Sequence, residues 1–135
     1  MDRDFERFRG GPNEAIGNRL HVTISPQKLI LLNRNMYNLL GRPEAVYLNY
    51  SRTRDIIAVE PASPRLPATF PVIKNLMNYR INAAPFCRHF GIQIDTQMKF
   101  VDPQIIDNIL YLKLAEVVSV GGRKRRKVAE MQSAK

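Results

Sequence analysis

The 135-residue chain has no tryptophan, one cysteine and two histidines. A single cysteine, Cys87, excludes an internal disulfide and fits a reducing compartment. Two histidines and one cysteine, without metal-ligand spacing, offer no zinc ligand set. No apolar run approaches the ~20 residues needed to cross a bilayer as a helix. The opening residues, MDRDFERFRGG, alternate in charge and lack the apolar stretch of a signal peptide, so a cytoplasmic protein without membrane partners is expected. RGGP and VGGR are the glycine-rich candidates, but neither has the strand-to-helix context of a phosphate loop. Acids are scarce as well: 12 Asp and Glu stand against 21 Lys and Arg, for a net charge of +9.

What is present is enough for a core. Hydrophobic residues make up 44% of the chain. At this length roughly two-thirds of the unfolded surface is buried on folding. The positive excess is unevenly spread. Residues 1 to 12 are neutral, residues 13 to 120 hold 12 basic and 8 acidic side chains, and residues 121 to 135 contribute +5. A basic run such as GGRKRRKVAE attracts polyanions, because each neutralised phosphate releases condensed counterions. It lacks an apolar face for membrane insertion.

The pattern divides the chain into a flexible arm (1–18), a first unit (19–62), a proline-rich connector (63–78), a second unit (79–114) and a basic tail (115–135). In the first unit Leu20, Val22 and Ile24 alternate with His21, Thr23 and Ser25, which predicts a strand with one buried face. SPQK is a turn. LILL is a second strand, and Asn33 caps a short helix whose apolar face is Met36, Leu39 and Leu40. Gly41 ends that helix. EAVYLNY is a third strand, with Tyr50 in the core and Tyr47 on the other face. SRTRD is a turn, and IIAVEP is a fourth strand ended by Pro61. Residues 72 to 80 fit a strand or a short helix.

The second unit opens on Asn82, as the first helix opens on Asn33. AAPFCRHF is helical, with Pro85 in the first turn and Phe86 and Phe90 on one face. Gly91 ends it. Ile92, Ile94, Met98 and Phe100 supply a strand region, DPQIIDN a turn with Asp107-Asn108 as a tight corner, and ILYLKL a last strand. The two Asn marks lie 49 apart and the two Gly marks 50 apart, a near-constant offset that argues for an internal repeat.

The succession HVTISPQKLILLN, MYNLLG, VYLNY, SRTRD and IIAVEP resembles the AbrB-type swapped-hairpin family, and its doubling resembles the MraZ proteins. The resemblance implies an α+β fold in which two strand-helix-strand-strand units form a swapped-hairpin-like β-barrel. It also implies DNA binding. Lys28 and Leu29 stand where the family turn has Gly-Arg, Asn33 where it often has Pro, and Tyr37 and Asn38 where paired Arg are common. Lys28 is thus the one matched turn position that stays basic.

No catalytic constellation emerges, and an enzyme is not expected. Cys87 and His89 are two apart, so on a helix they point about 200° away from each other. Cys87 is therefore read as a small buried hydrophobe. His21 is read as a surface residue, and Asp55 and Asp107 as turn formers. No cofactor is implied. The expected function is DNA binding by a transcriptional regulator or antitoxin-like factor, with nucleic acid as partner and possible homo-oligomers. Candidate phosphate contacts are Lys28, Arg34, Arg52, Arg54 and Arg88, together with Arg123, Lys124, Arg125, Arg126 and Lys127. The alternative is an oligomeric scaffold whose basic tail meets RNA or an acidic protein.

Overall fold

A computed structural model describes residues 20–120. The elements are β1 (Val22–Ile24), β2 (Leu29–Asn33), α1 (Arg34–Leu39), β3 (Ala45–Ser51), β4 (Ile56–Ala62), β5 (Phe70–Lys74), β6 (Asn78–Asn82), α2 (Ala84–Phe90), β7 (Met98–Phe100), β8 (Gln104–Ile106), β9 (Ile109–Lys113) and β10 (Val117–Ser119). The fold is mixed α+β: a curled half-barrel sheet with two short helices.

The strands run in the order β10-β7-β1-β2-β6-β5-β3-β4-β9-β8, and every pairing is antiparallel. The β2–β6 pair lies at its heart, with Ile30 opposite Ile81. Outward from this pair come β1 and β5, then β7 and β3. Strand β7, late in the chain, thus pairs with β1, while β3, early in the chain, pairs with β5.

Alternation builds the core. Ile30 and Leu32 of β2, Ile57 and Val59 of β4, and Leu110 and Leu112 of β9 are fully buried at every second position. They join Met36, Leu40, Phe86, Cys87 and Phe100 in one cluster drawn from both halves of the chain.

Local chemistry sets the element ends. Asn33 Oδ1 accepts from the Met36 amide at 3.0 Å, capping α1, and also from the His21 amide at 3.2 Å, tying the cap to the strand before it. Gly91 closes α2 with φ 70°, and Gly41 follows α1 with φ 96°. Asp107 and Asn108 have φ of 53° and 64°, the two left-handed residues that a tight β8–β9 hairpin requires.

Several expectations are corrected. Leu39 is 56% exposed, because the helix buries only the i, i+4 pair Met36 and Leu40. Thr23 is buried, since β1 lies between β2 and β7 and both its faces are covered; Gln97 Nε2 lies 3.5 Å from Thr23 Oγ1. His21 is half-buried rather than on the surface, and its amide serves the α1 cap. Pro61 lies inside β4 instead of ending it. The β9 ladder stops at Val59, so the missing proline N–H falls where that edge is open. Asn82 does not repeat the role of Asn33: the residue before α2 is Ala83, and Asn82 Oδ1 accepts only from Ala84, at 3.2 Å. Residues 70–74 and 78–82 form the β5–β6 hairpin, which settles the strand-or-helix choice. Part of DPQIIDN is strand β8, and Val117–Ser119 add β10 against β7. No helix among the described residues is long and apolar enough to cross a membrane.

Candidate nucleic-acid interface

Two turns flank α2, and each carries candidate cations. The β1–β2 turn is closed by the Lys28 amide donating to the Ser25 carbonyl at 2.8 Å. It is docked on the helix start by the Ala83 amide donating to the Lys28 carbonyl at 2.9 Å. Lys28 holds φ 67°, the left-handed conformation for which glycine is the usual residue. Its ammonium lies near Cys87: burial pushes that thiol's pKa up, and the Lys28 charge opposes the rise.

The second turn, residues 52–55 between β3 and β4, meets the other end of the helix. Ser51 pairs with Ile56 across a four-residue loop whose last member, Asp55, has φ 55°. The Asp55 amide donates to the Ser51 carbonyl at 2.7 Å, and the Arg54 amide lies 3.3 Å from Ser51 Oγ. Tyr50 fastens the loop. Its hydroxyl donates to Asp55 Oδ1 at 2.5 Å, and this bond, then burial, raises the phenol pKa. The Tyr50 ring packs 5.2 Å from Phe90 and 6.4 Å from Phe86, centroid to centroid. Arg52 places its guanidinium 5.3 Å from the Phe90 ring centre, within cation–π range.

Lys28, Arg52 and Arg88 are thereby gathered around one short helix, while Arg54 lines a depression with Ala58 and Tyr111 on the sheet beside the same turn. Arg52, Arg54 and Arg88 are exposed and Lys28 is half-buried. None of the four forms an ion pair with an acid among the described residues. Asp55, the nearest carboxylate in the chain to Arg52 and Arg54, is engaged by Tyr50 instead. Arg34 is not part of this group. It follows β2 while Lys28 precedes it, so six residue steps, about 20 Å of strand, separate their backbones. Arg123 to Lys127 lie outside the described residues.

The face presents donors and charge but no acid–base pair. Cys87 is buried and His89 exposed, its ring edge-on to Phe90 at 4.7 Å. No group of three or more His, Cys, Asp or Glu among the described residues could hold a metal ion. Sequence pattern does not reveal Phe90 as a platform for Arg52; its spacing from Phe86 marks the helix face, but the approach of the β3–β4 turn is a tertiary fact. Nor does it single out Lys74 or the exposed Leu76 and Met77 of the β5–β6 tip, although two large apolar residues between asparagines in NLMN are an unusual turn composition.

Comparison with protein-family models, with curated proteins and with solved structures finds no match to this chain.

Proposed function

We propose that this protein binds duplex DNA through the basic face around α2, as a transcriptional regulator or antitoxin-like factor. The observation that carries the reading is that Lys28, Arg52 and Arg88 lie around one helix without ion pairs to described acids. Hydrogen bonds close the turns that carry Lys28 and Arg52, so the backbone positions from which these side chains would reach phosphates are set by the fold.

The strand order supports a swapped-hairpin reading of the architecture. On this reading β1-β2-α1-β3-β4 and β5-β6-α2-β7-β10 are two copies of one unit, and β8–β9 is a hairpin inserted between the last two strands of the second. The copies exchange their outer strands, β7 going to β1 and β3 to β5. AbrB-like chains make that exchange between two molecules, and the doubled unit of MraZ-like chains puts both partners in one chain.

The test is duplex binding by the full chain across a salt series, with Arg52→Ala/Arg88→Ala as the comparison. Removing one cation that neutralises a phosphate should flatten the log–log salt slope by about 0.9, so the double variant should show a slope shallower by roughly 1.8. Absence of binding by the unmodified chain at low salt would remove the proposal. A second reading, an oligomeric scaffold, is favoured by β8 and β10, the outermost strands, each paired on one side only among the described residues. Light scattering showing a large closed assembly that has no DNA affinity would select it.

A further inference from the structure

The most exposed large apolar side chains among the described residues are adjacent. Leu76 is 91% and Met77 85% exposed, at the tip of the β5–β6 hairpin, and Ile73 on its flank is 45% exposed. Such a pair contributes nothing to the core and raises the risk of aggregation. The surroundings are cationic. Exposed Lys74 precedes the tip, and Arg80 follows it. Asn78 pairs with Asn33, which brings Arg34 beside the hairpin. No acid lies between residues 61 and 94. Val120, the last described residue, lines the same cleft as Met77 and His21.

We infer that the Leu76-Met77 tip is a wedge that enters between base pairs of duplex DNA and kinks it. The inference rests on the DNA-binding reading above and adds a mode of engagement to it. Leu and Met are among the apolar side chains that proteins insert at a base step, where partial unstacking is offset by the wider contact a bent duplex makes. An anionic bilayer also attracts an apolar tip ringed by cations. The placement of the charges decides against it: Lys28, Arg52 and Arg88 gather around α2, while Arg34 and the tip lie at the other end of β2, about 20 Å away. A flat surface touching the tip leaves the α2 face unused. A duplex bent at the tip follows the protein from one basic end to the other.

The experiment uses the full chain and a 30-base-pair duplex with 2-aminopurine beside a central TA step, which unstacks readily. The comparison is Leu76→Ser/Met77→Ser, whose exposed positions leave the fold intact by circular dichroism. The unmodified protein should raise 2-aminopurine fluorescence and shorten the end-to-end distance read by energy transfer between dyes on the duplex ends. The double variant should do neither and bind about tenfold to a hundredfold more weakly. Equal affinity of the two proteins, with no fluorescence rise from either, overturns the wedge and leaves DNA binding standing. Failure of both proteins to bind at low salt overturns DNA binding itself. Tip-dependent binding to phosphatidylserine vesicles, without duplex unstacking, replaces the wedge with a membrane contact.

Discussion

Replacing Lys28 separates backbone from charge. The residue holds φ 67°, where an L side chain costs about 1–2 kcal/mol relative to the right-handed region. Glycine escapes that cost but gives up roughly 0.5–1 kcal/mol more conformational entropy on folding. The net expectation is that Lys28→Gly is more stable than Lys28→Ala by about 0.5–1 kcal/mol. For about 100 ordered residues this is a difference in Tm of roughly 2–8 °C. Alanine keeps the strain and removes the charge; glycine removes both. DNA affinity should therefore fall equally in the two variants, with the salt slope about 0.9 shallower in each, while their thermal midpoints diverge. Calorimetry and a salt-series titration on the same preparations give both readings. A Lys28→Ala protein as stable as Lys28→Gly would refute the left-handed turn. Unequal affinities of the two variants would refute the assignment of Lys28's contribution to its charge.

The other expectations are independent of that turn. Tyr50→Phe removes the hydroxyl bond to Asp55; a charged hydrogen bond contributes about 1.5–3 kcal/mol when buried, and the half-buried site argues for the lower end, measurable by urea denaturation. The Tyr50 pKa is raised in the fold, so this stabilisation is fully present below the ordinary tyrosine value near 10 and is lost as pH rises through the folded value. The alkaline loss of stability should accordingly be smaller in Tyr50→Phe, and an unchanged alkaline limb would contradict the pairing. Ile81→Ala, at the centre of the β2–β6 pair, should cost about 2–5 kcal/mol and shift one cooperative transition of the whole chain; two separate transitions would show that the halves do not share a core. Met36→Ala should cost a similar amount, whereas Leu39→Ser should stay within about 0.5 kcal/mol of the parent.

The sequence made local structure readable where one residue carries one physical constraint. Asn33 as a cap, Gly41 and Gly91 as helix ends, Asp107-Asn108 as a corner and the alternation of ILYLKL all follow from short-range sterics and hydrogen bonding, and each is found. What was not readable depended on neighbours far along the chain. Thr23 is buried because both faces of β1 are covered, with Gln97, 74 residues away, reaching its hydroxyl. Leu39 is exposed because a six-residue helix has room for only a narrow buried stripe. Val117–Ser119 carry no helix or strand signature beyond two valines, and only β7 makes them a strand. For the candidate site, the cations were identifiable one by one. Their grouping was not: Lys28 and Arg52 meet the two ends of α2 through a backbone hydrogen bond and an aromatic ring, neither visible as a spacing.

The grouped cations also lie apart from what holds the fold together. Ser25 and Ala83 fix the β1–β2 turn by backbone bonds, and Ser51, Tyr50 and Asp55 fix the β3–β4 turn. Phe86 and Cys87 seat α2 in the core. No carboxylate among the described residues is used to hold Lys28, Arg52, Arg54 or Arg88. If these side chains served stability, the simplest arrangement would pair them with acids, and Asp55 is close enough in the chain to have done so. It instead accepts from the Tyr50 hydroxyl, leaving Arg52 and Arg54 without an ion pair among the described residues. An exposed cation without a paired acid adds to the self-repulsion of the folded state, and water and salt screen that repulsion. The proposed duplex contact would relieve that repulsion further by setting several such charges against phosphates, and the relief should shrink as salt rises.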